Sequence, residues 1–365
     1  MKINIIKKER VIVENPLSRN NYFGWPTVER LKNGNIAVGS SGFRLGHIDP
    51  FGKACLSISN DEGETYTQPL PIIDTVLDDR DVGLCAFGES GLILTTFNNP
   101  NEMIWKESNA HKDVADEKIQ GYINGYCATI TEEEERQVLG SLFRVSFDNG
   151  RTFGPMYKSP ISTPHGPIEL QNGKILWVGN LHYADGKEKL GQSEAYYINP
   201  NDGTMEKIGE IPAFSYGGEP VPQCEVFARQ LSDGRIIAHI RNVTRFNIFQ
   251  TVSFDDGRTW SEPTQVLPNY GGAPSHILEM PDGTLVATYG YRSTKPYKMK
   301  VMFSYDKGET WDTGYTLYDN DFSPDLAYPS SILLENGNIL TVFYARAQET
   351  PPSLVWQIEW NFEKE

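Results

Sequence analysis

The chain has 365 residues, of which 39% are hydrophobic and 12% aromatic, a composition that allows a large packed core. Its formal net charge of −15 argues against nucleic acid and anionic membranes as partners, because phosphate binding needs clustered Lys and Arg. No apolar run reaches membrane-spanning length, and residues 1–8 lack the apolar core of a signal peptide, so we expect a cytoplasmic protein.

Short β-branched and aromatic runs alternate with Gly and Pro along the sequence, a pattern typical of strands joined by turns. Six of these junctions are tight turns between two apolar runs, and Asn-Gly or Asp-Gly in that setting is the strongest short signal for a β-hairpin. The turn glycines are Gly34, Gly91, Gly173, Gly234, Gly283 and Gly337. Their spacing is that of four-stranded units. We therefore expect a single all-β domain over residues 1–365, a six-bladed β-propeller with four-stranded antiparallel blades.

A second repeat, Ser-x-Asp-x-Gly-x-Thr-aromatic, is called the Asp motif below. It occurs at residues 59–66, 146–153, 253–260 and 304–311. Its Asp is expected to hydrogen-bond its own turn, its Gly to take a positive φ, and its aromatic side chain to pack beneath. Its position after the turn glycines predicts a hairpin between the third and fourth strands of a blade. An insertion at about residues 100–138 delays the motif in the second blade, and the first strand, Asn4 to Glu14, is expected to close the ring within the last blade.

Counting from the turn glycines predicts which residues lie at one level of the central channel. Nine residues before them lie Trp25, Val82, Pro164, Glu225, Pro274 and Tyr328, and Arg80, Asp81, His165 and His276 are close to that level. Seven residues after them lie Ser41, Asn98, Asn180, Arg241, Gly290 and Tyr344. Charged and aromatic side chains that converge at one strand end indicate a polar ligand site.

At these residues the chain resembles the sialidase superfamily, six-bladed propellers with Asp-box repeats. Residues 225–242 are similar to the segment that carries a catalytic Glu and an Arg that grips the substrate carboxylate, and residues 327–337 to the segment with the tyrosine nucleophile. The resemblance therefore implies Tyr328 as nucleophile, Glu225 as its base and Arg241 as a carboxylate ligand.

The chain departs from that family in the first blade, where Gly24-Trp25-Pro26 stands in place of Arg-Ile-Pro. The first of the three arginines that clamp the carboxylate is therefore absent, and Arg241 is expected to act with Arg44, Arg80 or Arg292. The full set of residues expected to bind substrate is Arg241, Arg44, His47, Arg80, Asp79, His165, His276, Arg292, Trp25 and Tyr344.

Three groups of residues admit two interpretations each. The resemblance implies Asp49 as the acid/base residue, whereas the proline and glycines around it permit a turn role. Residues 78–81 form either a structural ion network or part of the site. His165 and His276 are either buried core residues or, with His47, imidazoles that transfer protons near neutral pH.

Three functions remain open at this point. The first is an exo-acting glycoside hydrolase of sialidase-like type that acts on a terminal acidic sugar of a glycan. The second is a hydrolase or lyase of another glycan, either uronic-acid-containing or deoxysugar-capped, that uses His165 or His276 with Tyr328. The third is a non-catalytic glycan-binding propeller. No cofactor or metal is predicted, because the Cys and His residues lack ligand spacing, and the oligomeric state stays open.

Overall fold

The structure, a computed structural model, describes residues 1–110, 116–181, 191–242, 247–268, 272–346, 348 and 352–364. Six antiparallel sheets form the blades of a ring, and each blade has four strand positions. The predicted six-bladed β-propeller is therefore confirmed. Among the described residues, no helix is both long enough and apolar enough to cross a membrane.

The first three blades follow one another along the chain after β1 (Lys2–Val13), which belongs to the last blade. Blade one contains β2 (Tyr22–Arg30), β3 (Ile36–Arg44), β4 (Lys53–Ser59) and β5 (Leu70–Ile73). Blade two contains β6 (Arg80–Phe87), β7 (Gly91–Phe97), β8 (Ser141–Ser146) and β9 (Met156–Ser159). Blade three contains β10 (Ile161–Ser162) and β11 (Ile168–Glu169), which share the first position, then β12 (Ile175–Leu181), β13 (Ser193–Ile198) and β14 (Met205–Glu210).

The last three blades follow a small hairpin of β15 (Ser215–Tyr216) and β16 (Glu219–Pro220). Blade four contains β17 (Cys224–Gln230), β18 (Ile236–Asn242), β19 (Asn247–Ser253) and β20 (Thr264–Leu267). Blade five contains β21 (His276–Glu279), β22 (Leu285–Tyr291), β23 (Tyr297–Ser304) and β24 (Asp312–Asn320). Blade six contains β25 (Ala327–Leu333), β26 (Ile339–Arg346), β27 (Ser353–Glu363) and β1.

The first strands of the blades line the centre of the ring. Each contacts the next one round the circle: β2 contacts β6, β6 contacts β11, β11 contacts β17, β17 contacts β21, β21 contacts β25, and β25 contacts β2. The ring closes in blade six, because β1 pairs antiparallel with β27, as expected for the first strand. This pairing covers an edge that would otherwise be open.

The turn glycines behave as predicted in five blades. Gly34, for example, has a φ of +89° and donates its N–H to the carbonyl of Leu31 at 2.9 Å. Blade two differs, because its turn has a positive φ at Gly88 and Phe87 pairs directly with Gly91. Gly91 is thus the first residue of β7 and not the positive-φ turn residue, which changes the counting in this blade.

The Asp motifs form the predicted hairpins between third and fourth strands. In the first copy, the Asp61 carboxylate accepts hydrogen bonds from the backbone N–H of Thr65 at 2.9 Å and from its hydroxyl at 2.6 Å. Gly63 has a φ of +83°, and Tyr66 donates to Gln357 in the last blade. Asp148, Asp255 and Asp306 repeat these contacts with a Thr four residues later. The Asp motifs therefore stabilise the outer hairpins of the blades, and they lie away from the central channel.

The insertion in blade two folds as three helices, which the sequence analysis did not predict. They are α1 (Asn101–Ala110), α2 (Glu117–Cys127) and α3 (Glu132–Val138), and residues 111–115 of the insertion lie outside the described residues. Ile104 and Ile123 are buried against Leu77, and Tyr122 stacks on Phe51. The insertion therefore buttresses the two loops that lead from β3 and into β6.

A close contact between two blades leads to a test of the packing at the channel. A Cβ on Gly83 of β6 would lie 2.4 Å from the Cα and N atoms of Gly166, the neighbouring backbone of blade three. We expect Gly83→Ala to lower the free energy of unfolding by about 2–3 kcal/mol in urea titrations, because neither backbone can move away alone. Gly121→Ala in α2, where a Cβ would meet no atom within 4 Å, is the control and is expected to be neutral or stabilising. Equal destabilisation of the two variants would contradict this account.

Candidate active site

Four blades carry a β-bulge at the same place in their first strand. In each, two residues of the first strand face one residue of the second, as the register on either side shows. The bulged pairs are Trp25-Pro26 in β2, Asp81-Val82 in β6, Glu225-Val226 in β17 and Tyr328-Pro329 in β25. Their leading residues occupy equivalent positions at one end of the channel.

Backbone strain marks three of these bulges. Trp25, Glu225 and Tyr328 have φ values of +51°, +44° and +46°, which bulky L-residues adopt only where the surrounding structure enforces them. A bulge re-aims the side chains that it carries, and such strain is typical of functional sites. The conformations therefore single out the same three residues that sequence counting had placed together.

In blade two, the equivalent residue is Asp81, so the count that placed Val82 at this level is wrong. The turn between β6 and β7 has one more residue before Gly91 than its counterparts have before their glycines. The strand pairing itself is ordinary, so only the count from Gly91 is displaced by one residue.

Tyr328, Glu225 and Arg241 form a hydrogen-bonded triangle. Tyr328 and Glu225 are called the dyad below. The Tyr328 hydroxyl donates to Glu225 Oε1 at 2.6 Å, and Arg241 Nη1 donates to the Tyr328 oxygen at 3.0 Å. Arg241 Nη1 also donates to Glu225 Oε2. Burial raises the pKa of Tyr328 well above its ordinary value, and the Glu225 charge adds to this effect while Arg241 opposes it. The phenol is therefore neutral, with a carboxylate placed to accept its proton.

Arg292 and Tyr344 flank the dyad. The Arg292 guanidinium lies 5.4 Å from the centre of the Tyr328 ring, and its Nη2 donates to the Tyr344 hydroxyl at 3.1 Å. Its Nε donates to the carbonyl of Leu326 at 3.0 Å. Arg292 and Arg241 thus stand on two sides of Tyr328, and both are held in place by hydrogen bonds.

Asp325 joins residues from blades one and six beside the dyad. Its Oδ1 accepts the Tyr344 hydroxyl at 2.5 Å, and its Oδ2 accepts the Tyr22 hydroxyl at 2.6 Å. His47 Nδ1 lies 2.8 Å from the same Oδ2. Burial alone would raise the pKa of Asp325, yet the His47 and Arg292 charges and these hydrogen bonds hold it well below its ordinary value. Asp325 is therefore an anionic hub that fixes the two phenols and the imidazole.

This hub lies beside the place where the family pattern has its first arginine. A Cβ on Gly24 would meet the Tyr344 ring at 3.3 Å and the Tyr22 ring at 3.6 Å. Aromatic rings fill that space, and a carboxylate, Asp325, stands behind them. Two tyrosine rings and a carboxylate thus occupy the region beside Gly24.

Trp25 forms a wall of the site between cations and aromatic rings. Its ring centre lies 4.3 Å from the Arg80 guanidinium, 5.0 Å from that of Arg44, and 5.5 Å from the Tyr344 ring. Asp78 neutralises both arginines, at 2.8 Å from Arg44 Nη2 and 3.3 Å from Arg80 Nη1. Arg44 is fully buried in this network, so only Arg80 reaches the edge of the site.

Two of the expected site carboxylates lie outside this cluster. The Asp49 carboxylate is buried and accepts three backbone N–H bonds, from Leu45, Gly46 and Phe51, at 2.8–2.9 Å. Asp79 accepts hydrogen bonds from Thr75 and Asn98. These contacts favour the turn role for Asp49 and a loop-fixing role for Asp79.

His165 and His276 lie one step down the channel beneath the bulges. The His276 ring stacks on Phe227 with ring centres 4.4 Å apart, and His165 contacts both rings. Burial lowers the pKa of His165 to about 3 and that of His276 well below its ordinary value. Both imidazoles are therefore neutral at pH 7, and their surroundings favour a role in the floor of the site over acid/base chemistry.

The sequence analysis missed Tyr22 and Asp325 as site residues, and it placed Asp78 only within residues 78–81, as either a structural ion network or part of the site. A simple signal would have found them: each lies three residues before a leading bulge residue, namely Trp25, Asp81 and Tyr328. Counting nine residues back from the turn glycines reaches only the level of the bulges. Extending the count by three residues towards the N-terminus reaches the polar side chains that fix the site residues in place.

The fold and its bulges define the chain as a six-bladed propeller of sialidase-like architecture. It belongs to the BNR repeat-like domain family, whose sequence profile matches residues 126–341. Comparison with curated protein sequences gives no match.

Solved structures similar to the chain share its fold at low sequence identity. The NanB sialidase from Streptococcus pneumoniae is 14% identical, with a TM-score of 0.68 over 97% of this chain and 71% of that chain. The intramolecular trans-sialidase from Ruminococcus gnavus is 14% identical, with a TM-score of 0.61 over 90% and 91%. The alpha-L-arabinanase from Penicillium chrysogenum is also 14% identical, with a TM-score of 0.58 over 98% and 99%. The same architecture thus serves enzymes with different sugar substrates.

Proposed function

We propose that the chain is an exo-acting glycoside hydrolase that removes a terminal sugar bearing an anionic group. The observation that carries this proposal is the 2.6 Å hydrogen bond from the Tyr328 hydroxyl to Glu225, with Arg241 bound to both residues. A phenol paired with a carboxylate and held on strained backbone is an activated nucleophile. The similarity of the fold to glycosidases from two substrate classes supports the same reaction type.

The chemistry follows from the neutral charge of the phenol. The Tyr328 oxygen attacks the anomeric carbon while its proton passes to Glu225, and a covalent glycosyl-enzyme forms. A neutral nucleophile meets no repulsion from an anionic group on that carbon, which an Asp or Glu nucleophile would meet. Arg241 then faces the tyrosine oxygen and stabilises the charge that develops there.

The arginines favour an anionic substrate, and Gly24 limits how such a group is held. Arg241 and Arg292 flank Tyr328, whereas the space beside Gly24 contains Tyr344 and the Asp325 carboxylate. A two-arginine clamp binds a carboxylate less tightly than three bidentate contacts would. This observation favours, as a second candidate, a glycan with a uronic acid or a deoxysugar cap.

A substrate panel tests the proposal. Purified protein is incubated with sialylated, uronylated and rhamnosylated oligosaccharides, and the released sugar is quantified by chromatography. Hydrolysis of one class of substrate supports the proposed glycosidase. Ultraviolet absorbance from an unsaturated product would show that the enzyme cleaves by elimination and not by hydrolysis. Binding of a glycan without turnover on any substrate would favour the non-catalytic propeller and overturn the proposal.

Arg292 provides a separate test of the anionic group. We expect Arg292→Met to raise KM for the active anionic substrate by about 10-fold or more, because a hydrogen bond to a charged group contributes about 1.5–3 kcal/mol. Arg235→Met is the control, since Arg235 lies at the hairpin-turn end of β18 and pairs with Asp233. Steady-state kinetics measure KM for both variants. An unchanged KM in Arg292→Met would show that Arg292 does not bind the anionic group of the substrate.

A further inference from the structure

Asp81 is the fourth leading bulge residue, and it belongs neither to the dyad nor to the Asp325 hub. Its three equivalents are Trp25, Glu225 and Tyr328, which form the wall and the dyad of the site. Asp81 is only 3% exposed, and its Oδ1 is buried without a hydrogen-bond partner among the described residues. A buried carboxyl oxygen without a hydrogen-bond partner destabilises the fold. Its presence next to the dyad therefore indicates a functional role.

The other carboxyl groups around the site are already engaged in hydrogen bonds or ion pairs. Asp49 holds three backbone amides, and Asp78 pairs with two arginines. Asp79 is bound by Thr75 and Asn98, and Asp325 accepts two phenols and contacts His47. Glu225 is the partner of Tyr328. Asp78 Oδ1 also lacks a hydrogen-bond partner among the described residues, but it forms an ion pair with Arg44 Nη1, whereas Asp81 Oδ1 has neither kind of contact there.

The surroundings of Asp81 favour its protonated form near neutral pH. Burial raises the pKa of Asp81 to about 7; the Arg80 charge opposes this effect, and the Glu225 charge adds to it. The charge of Asp81 in turn adds to the burial and the Glu225 charge that raise the pKa of Tyr328. Two carboxyl groups in one site with different tasks are the pattern expected for acid and base in glycosidases.

We propose that Asp81 is the catalytic acid/base of this site, a role that rests on the proposed hydrolase function. In the first step, the Asp81 carboxyl proton passes to the glycosidic oxygen as the bond from that oxygen to the anomeric carbon breaks and Tyr328 attacks. In the second step, the Asp81 carboxylate takes a proton from water, the water oxygen bonds to the anomeric carbon, and the tyrosine oxygen leaves and regains its proton from Glu225. Each step conserves protons and needs no further reactant.

The test compares Asp81→Asn with the wild type on substrates whose leaving groups differ in acidity. We expect Asp81→Asn to lose about 10²–10⁴-fold in kcat/KM on the unactivated oligosaccharide. On a dinitrophenyl glycoside of the same sugar, whose leaving group needs no proton, the loss in glycosyl transfer is expected to stay within about 10-fold, and added azide is expected to restore turnover. Equal losses on the two substrates would overturn the assignment.

Two further variants separate this role from a structural one. Glu29→Gln is the matched control, because burial also raises the pKa of Glu29 to about 7, at the hairpin-turn end of β2. Both amide variants are expected to unfold at higher temperature than the wild type at pH 8, since each removes a carboxylate whose burial opposes ionisation. Dependence on the leaving group is expected only in Asp81→Asn. Its appearance in Asp49→Asn instead would assign the acid/base role to Asp49.

The outcomes also separate this inference from the proposed function. If the wild type releases no sugar from any substrate, the hydrolase proposal fails. If Tyr328→Phe is inactive while Asp81→Asn keeps wild-type rates on the oligosaccharide, the hydrolase stands and the role of Asp81 is wrong. Should Asp81→Asn fail to fold, Asp81→Glu tests the same point, because a shifted carboxyl is expected to retain partial activity and the same pH dependence on its basic side.

Discussion

Replacing Tyr328 with phenylalanine is expected to reduce turnover of the true substrate on the order of 10³-fold or more, with the fold retained. The substitution removes only the hydroxyl that donates to Glu225 and accepts from Arg241. The ring keeps its contact with Tyr344, and Arg241 keeps its bond to Glu225, so no buried charge loses its partner. Single-turnover and steady-state kinetics with the substrate identified by the panel measure the effect.

The matched comparison for this variant is Tyr197→Phe. Tyr197 is a blade-three tyrosine whose hydroxyl donates to the Asp256 carbonyl, away from the central channel. It is expected to keep wild-type kinetics, and both variants should show native circular dichroism. If Tyr328→Phe retains wild-type rates on the true substrate, the nucleophile has been misassigned.

Replacing Arg44 with methionine is expected to produce the largest loss of stability, about 3–5 kcal/mol in the free energy of unfolding. Arg44 has no exposed surface, and its guanidinium donates to the carbonyls of Gly46 and His47 and to Asp78. Methionine fills much of the volume but leaves Asp78 buried with Arg80 as its remaining cationic partner. Urea titration at pH 7 measures the change in the unfolding midpoint.

Arg30→Met serves as the comparison for the buried pair. Arg30 also pairs with a carboxylate, Glu62, but this pair is partly exposed to solvent. Such pairs contribute about 0–1 kcal/mol, so the expected loss is several-fold smaller. Similar midpoints for the Arg44 and Arg30 variants would show that the Arg44 network contributes nothing beyond a surface ion pair.

Much of the fold follows from the sequence because its signals are local. Asn-Gly and Asp-Gly turns determine hairpins within a few residues, and the Asp of each Asp motif binds a Thr only four residues later. Repetition of these signals reveals the number of blades, since each blade is one such unit. The same count led to Glu225 and Tyr328 together, because in blades one, four and six the leading bulge residue lies nine residues before the turn glycine.

The remaining parts depend on tertiary structure or on small irregularities. The helices of the insertion expose most of their surface and are stabilised by a few contacts, such as Ile104 and Ile123 against Leu77. A capping box at Thr131 and Glu134 was the available signal for α3. The count from Gly91 reached Val82 and not Asp81, because the glycine stands one position later in that turn than in the others. The Asp325 hub joins residues about 300 positions apart in sequence, and no local pattern encodes such a pairing.

The closure of blade six by both ends of the chain has a consequence for how activity arises during folding. Tyr328 lies in the sixth blade, yet its neighbours in the site include Trp25 and Tyr22 from the first blade, linked through Tyr344 and Asp325. During synthesis, the first blade must wait for the sixth before the hub can form. We therefore expect recovery of the proposed activity on refolding to report on the closure of the ring.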